Sequence, residues 1–238
     1  MYLYSVFESV QGEGIEIGKP TIFVRFAGCP FRCKFCDEPA AISIDGGTQI
    51  EVTSVLEVIV DTIKKFNITN IEFTGGSPEM QKKDLFFLAK ELRAYAAQND
   101  TVFNLSLQSS GAYKLGKEYF DLFDSVKIDY KPIDIGMPFE TPLTYFRKSD
   151  EVKILVDFEK EQPFKNLNDF TKLIKDIDFN SNIVLTTTDY PTVKCNSVEN
   201  WRKLTEMIVD LKFPIKVKSK IQVLPRLQVL YWNNIKDK

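Results

Sequence analysis

Cys29, Cys33 and Cys36 stand in one short stretch, Cys29-Pro-Phe-Arg-Cys33-Lys-Phe-Cys36, and they are three of the four cysteines in 238 residues. The C-x3-C-x2-C spacing gathers three soft thiolate ligands, enough for three corners of an iron–sulfur cluster. The fourth iron then has no obvious protein ligand, and an open iron is a place for chemistry. A structural zinc site is one alternative, but zinc normally takes four ligands from paired cysteine or histidine motifs. The chain has no histidine, and the remaining thiol, Cys195, is far away in sequence and reads as a packed or surface thiol. A disulfide with one thiol left over is the other alternative, and a reducing compartment disfavours it. The lack of histidine also removes Ser-His-Asp triads, Cys–His pairs and histidine bases. Proton transfer falls to Asp, Glu, Lys, Tyr or Cys.

The elements that must position this loop can be read from periodicity. Residues 21–27, Thr-Ile-Phe-Val-Arg-Phe-Ala, form an apolar, β-branched run that predicts a strand leading into the cysteines. Further strands are expected over 70–74, 102–107, 125–129, 152–156, 182–187 and 220–224. Helical spacing of Val55, Leu56, Val58, Ile59 and Ile63 predicts a helix over 53–66 with Thr53 as its cap. Other helices are expected over 82–98, 167–177 and 197–211. Residues 132–150, with little periodicity, read as a long loop of the kind that often carries function. Repeated β-α units predict parallel strands in an α/β sheet or barrel, in one domain over 1–238. Four polar or glycine-rich motifs fall where strands end: the cysteine loop, Thr74-Gly-Gly-Ser77, Gln108-Ser-Ser-Gly111 and Asp129-Tyr-Lys-Pro132. Parallel α/β folds build their sites at those ends.

Composition sets the outer limits. With 31 basic and 33 acidic residues the net charge is −2, so no basic excess points to nucleic acid. No apolar run approaches membrane-spanning length, and residues 1–8 lack the basic and apolar regions of a signal peptide. A cytoplasmic protein is expected. The 19 Phe are scattered at core spacing and read as packing.

The cysteine spacing after a first barrel strand resembles the radical S-adenosylmethionine (SAM) superfamily signature, with Phe35 at its aromatic position. Phe7-Glu-Ser-Val-Gln-Gly-Glu-Gly14 and Phe23-Val-Arg-Phe-Ala-Gly-Cys29 narrow the resemblance to the 7-carboxy-7-deazaguanine synthase (QueE) family. The similarity runs from residue 8 to about 132 and returns weakly over 222–232. The resemblance implies an incomplete TIM-like (β/α) barrel with a [4Fe–4S] cluster on Cys29, Cys33 and Cys36 at its C-terminal mouth. It implies SAM and Mg2+ as further cofactors, an external one-electron reductant of flavodoxin or ferredoxin type, and a homodimer. The implied reaction is a ring contraction of 6-carboxytetrahydropterin with loss of ammonia, by a radical SAM lyase of queuosine or archaeosine biosynthesis. Another radical SAM reaction, as an activating enzyme or on a modified pterin or purine, is the alternative. A non-catalytic metal-binding or electron-transfer module is a third.

Carried onto this sequence, Val10, Gln11, Gly12, Glu13 and Thr74 would meet the pterin, and Arg25 its carboxylate. Phe35, Asp37, Gly76, Ser77, Gln108, Asp129, Tyr130 and Lys131 would meet SAM. Glu38 stands where the family has a magnesium-contacting threonine. Ser77 replaces the commoner Glu, leaving backbone groups or Glu79 to meet the methionine amine. Arg226 and Gln228 stand where Gln and His are frequent.

Overall fold

In a computed structural model of the chain, which describes residues 1–188 and 197–228, one sheet organises everything else. Cys195 and the end of the 222–232 stretch lie outside the described residues. The strands are β1 (Tyr2–Val10), β2 (Pro20–Phe26), β3 (Thr48–Gln49), β4 (Asn70–Gly75), β5 (Asn104–Ser109), β6 (Ser125–Tyr130), β7 (Glu151–Val156), β8 (Asn182–Thr187) and β9 (Ile221–Val223). Their order is β3-β1-β2-β4-β5-β6-β7-β8-β9. β2 and β4 to β9 are parallel throughout, whereas β1 runs antiparallel to both its neighbours. The order is linear, so the sheet curves as an open, unclosed barrel.

The helices are α1 (Val52–Phe66), α2 (Lys82–Gln98), α3 (Lys117–Leu122), α4 (Pro132–Ile135), α5 (Lys165–Leu173), α6 (Ser197–Asp210) and α7 (Ile215–Lys218). Val55, Ile59 and Ile63 form the buried face of α1, the i, i+4, i+8 stripe expected of a helix laid on a sheet. Its N-cap is Glu51, with Thr53 already inside the first turn, and it ends on Asn67 in the left-handed region. No helix among the described residues is long and apolar enough to cross a membrane.

Side chains alternate along each strand, and here the two faces differ in kind. Ile71, Phe73, Leu105, Leu107, Val126, Ile128, Val152, Ile154, Ile183 and Leu185 belong to the apolar core shared with the helices. The alternate positions Glu72, Ser106, Lys127, Glu151 and Lys153 are buried as well. The concave interior is therefore polar.

Most expected elements are present, with ends moved by a residue or two, except that the helix expected over 167–177 ends four residues early, at Leu173. Two differences matter. β1 is a full strand, not foreseen, and it places residues 10–13 beside the site. Residues 132–150 are not wholly loop: they contain α4 and a 3-10 turn at Leu143–Tyr145.

Candidate active site

The cysteine loop leaves β2 and is tied back to the chain after it. The Gly28 N–H donates to Ala41 O and the Cys29 N–H to Ile42 O, both at 2.9 Å. The Cys36 N–H closes a turn on Cys33 O at 3.1 Å. The loop after β4 clamps its base: the Ser77 N–H reaches Gly28 O at 2.8 Å, and a Cβ on Gly76 would fall 2.2 Å from that same oxygen. Only glycine permits so close an approach.

All three thiols line a cavity of about 200 Å³. Strand ends supply its wall: Thr74, Gly75 and Gly76 from β4, Gln108 to Ser110 from β5, Asp129 and Lys131 from β6, and Lys153 and Leu155 from β7. Val10, Gln11, Gly12 and Glu13 enter from β1, whose end pairs with the start of β2 (Val10↔Pro20), so they approach from the opposite rim. Arg226 and Gln228 close the gap beyond β9. The Leu227 N–H donates to Gly12 O at 2.9 Å, and the Gln228 amide donates to Glu13.

The charges are arranged in pairs. Lys153 is salt-bridged to Glu13 and lies 3.5 Å from Asp129. Lys131 holds Asp129 at 2.9 Å, and Arg226 faces Asp37 at 3.6 Å. Arg25 donates to Glu38 at 2.9 Å while lying 4.7 Å over the ring of Phe7. One layer deeper, the Gln11 amide donates to Glu72 at 2.5 Å, and Glu72 is also paired with Lys127. Burial works against the ionised carboxyl of Glu13, but Lys153 and Arg226 outweigh it and hold the group below the usual carboxylate range. Glu13 is thus an ionised acceptor on the cavity wall.

Burial pushes all three cysteine thiols up, Cys36 to about 12 with Asp37 adding to the shift. Lys131 works the other way at Cys29 and Cys33. Among the described residues no three His, Cys, Asp or Glu side chains are placed to hold a metal ion. A cluster does not ask for that, because bridging sulfides keep its iron corners apart. Three thiols on one cavity wall, a clamped loop and an adjacent ammonium fit an anionic three-cysteine cluster.

The comparisons agree with this geometry. Residues 10–127 match the family model described as a 4Fe-4S single cluster domain. The 7-carboxy-7-deazaguanine synthase of Aquifex aeolicus is 27% identical over 176 residues, 73% of either chain. That of Pyrobaculum aerophilum is 35% identical over 109 residues, and the match spans 45% of its length. Over these stretches the chain is similar to 7-carboxy-7-deazaguanine synthases. Among solved structures, QueE from Escherichia coli shares the fold with a TM-score of 0.64 at 18% identity, covering 95% of this chain and 94% of that one. A hexahistidine-tagged anSMEcpe with bound AdoMet follows at 0.55 and 16%, covering 87% and 64%.

Of the residues singled out in the sequence, Cys29, Cys33, Cys36, Phe35, Asp37, Glu38, Val10, Gln11, Gly12, Glu13, Arg25, Thr74, Gly76, Gln108, Asp129 and Lys131 all line the cavity. Two do not. Tyr130 follows Asp129 on β6 and so points to the other face, where its ring packs edge-on against Phe170 at 4.8 Å. Ser77 is buried behind the wall, its hydroxyl donating to Glu79 at 2.9 Å and lying 2.6 Å from the Ser110 hydroxyl. Glu79 also accepts from Ser109 at 2.8 Å, and burial raises its carboxyl. It braces the wall rather than lining the cavity. Sequence reasoning missed Lys153, Glu72 and Lys127. The signal was there: charges at every second position of otherwise apolar strands, as in Val126-Lys-Ile-Asp-Tyr130.

Proposed function

We propose that the protein converts 6-carboxy-5,6,7,8-tetrahydropterin to 7-carboxy-7-deazaguanine with loss of ammonia, as a radical SAM lyase. The observation that carries this reading is that the three thiols share one cavity with Gln11, Gly12 and Glu13. When bound, the cluster and SAM supply hydrogen-atom abstraction. The chain's own residues provide the rest. Cys29, Cys33 and Cys36 hold the cluster, with Lys131 offsetting its charge. Gly76, Gln108, Asp129, Phe35 and Asp37 offer backbone and polar groups to SAM on the cysteine side, and Ser77 supports them from behind. On the other rim, the Gln11 amide and the ionised Glu13 suit the fused donor and acceptor edge of a pterin. Lys153 and Gln228 fix the Glu13 carboxylate, so it need not reorganise when a ligand arrives. Thr74 adds a hydroxyl between the two halves. Arg25 is the seat for a substrate carboxylate, and Glu38 is a hard oxygen donor suited to Mg2+.

We extend the reading to one domain over 1–238, a cytoplasmic homodimer, and an external flavodoxin- or ferredoxin-type reductant. The test is anaerobic incubation of the reconstituted protein with SAM, dithionite, Mg2+ and the tetrahydropterin, with product detected by mass spectrometry. Formation of 7-carboxy-7-deazaguanine is expected. The Arg25–Glu38 pair favours one second reading, a radical SAM reaction on a different pterin or purine. SAM cleavage without deazaguanine formation would select it.

A further inference from the structure

Among the described residues, every cation on the cavity wall already faces a carboxylate of the chain: Arg25 with Glu38, Lys131 with Asp129, Lys153 with Glu13 and Arg226 with Asp37. A ligand carboxylate that pairs directly with one of these cations must therefore compete with a side chain of the protein. The four carboxylates differ in the elements that carry them. Asp129 sits on β6 between Lys131 and Lys153, and Glu13 is fixed by both Lys153 and Gln228. Asp37 and Glu38 instead belong to the stretch after Cys36, outside any strand. The two arginines they face also differ. Arg25 is anchored in β2, opposite Thr74 of β4, and backed by the Phe7 ring, itself stacked on Phe23 at 5.1 Å. Its guanidinium is a rigid seat that already accommodates a carboxylate at 2.9 Å.

We infer that Glu38 is an internal occupant of the substrate's carboxylate seat, so that a carboxylated ligand enters by displacing Glu38 from Arg25, and Glu38 thereby sets the pocket's preference between carboxylated and neutral ligands. This deepens the reaction proposed above and rests on it. When a binding-competent state is populated only in part, apparent affinity falls by that fraction. A pair closed about nine-tenths of the time weakens the carboxylated ligand about tenfold. A ligand without a carboxylate makes no demand on Arg25 and escapes that loss.

The test is equilibrium dialysis of the anaerobically reconstituted protein, in magnesium-free buffer, against 6-carboxypterin and against unsubstituted pterin. In Glu38→Gln the length and polarity remain but the ion pair is lost. Its affinity for 6-carboxypterin should rise about tenfold over the unmodified protein, while pterin affinity stays within about twofold. Asp37→Asn should change neither by more than about twofold, because Asp37 is itself half-exposed and its ion pair is long, at 3.6 Å. Should Glu38→Gln fail to fold, Glu38→Ser carries the same expectation. An unchanged or weakened preference for 6-carboxypterin in the Glu38 variants would overturn the inference, as would tightening in Asp37→Asn alone. If the unmodified protein binds neither compound, the pterin reading falls and the inference with it, a result distinct from binding both without a Glu38 effect.

Discussion

Replacing Lys127 by Met isolates what the polar interior costs and what holds it together. The Lys127 ammonium, about 1% exposed, is paired with Glu72 and lies 3.0 Å from Glu16. Glu151 stands beside it in register on β7. Burial alone would drive the ammonium to shed its proton, and the three carboxylates outweigh that. Methionine fills a similar volume but strips the buried Glu72 carboxylate of its counter-charge and leaves Glu16 only Lys19, at 3.2 Å. Removing one partner of a buried pair costs about 3–5 kcal/mol. In a chain of this size each kcal/mol moves Tm by about 2–4 °C, so the variant should melt roughly 6–20 °C below the unmodified protein. The assay is thermal unfolding followed by circular dichroism, at neutral pH and under argon. Lys127→Met combined with Glu72→Gln removes the stranded charge yet keeps an acceptor for Gln11 and Ser106, which contact Glu72 at 2.5 and 3.1 Å. The double variant should recover at least half the loss. A drop of under about 3 °C, or no recovery in the double variant, would refute the view that the cluster balances charge rather than merely filling space.

Other expectations follow from the same structure. Changing any one of Cys29, Cys33 or Cys36 to Ala should remove bound iron and visible charge-transfer absorbance while leaving the far-ultraviolet spectrum of the metal-free chain intact. Glu13→Gln should lower Tm near neutral pH. Glu13 is held below its ordinary value of 4.5, so its stabilisation is present above that pH and is lost as pH falls through the folded value; the Tm gap should close in acid. Gly14→Ala should destabilise by about 1–3 kcal/mol in urea unfolding. Residue 14 has φ +68, and an added Cβ would meet the Glu151 carboxylate at 2.2 Å.

How far the sequence could be read depended on what each residue answers to. The cluster loop was legible because ligand spacing is local, and α2 over Lys82–Gln98 was legible because its stripe repeats within the helix. β1 was not. Its residues are half-buried or, at Glu8 and Val10, exposed, and polar and apolar types mingle along Tyr2–Val10 without clean alternation. What makes it a strand is its partner β2, matched through Phe7↔Phe23 and Val6↔Val24. The interior charges carried a period-two signal, but their meaning came only with the register that sets Lys127 beside Glu151 and Asp129 beside Lys153. Tyr130 shows the limit of reading by motif. Its neighbours Asp129 and Lys131 line the cavity, and the pleat turns its side chain to the other face. The Arg25–Glu38 pair joins a strand to the loop after it, and spacing alone could not have said that the two side chains meet.

The hydrogen bond from Gln228 to Glu13 spans 215 positions of sequence. The cysteine loop is made before Lys153, and Arg226 and Gln228, which complete the contacts around Glu13, are made later still. Throughout that interval the opposite rim still lacks Arg226 and Gln228. Completion of the ligand pocket thus waits on residues made well after the cluster ligands. A chain arrested before residue 226 would retain its cluster ligands and present an unfinished site.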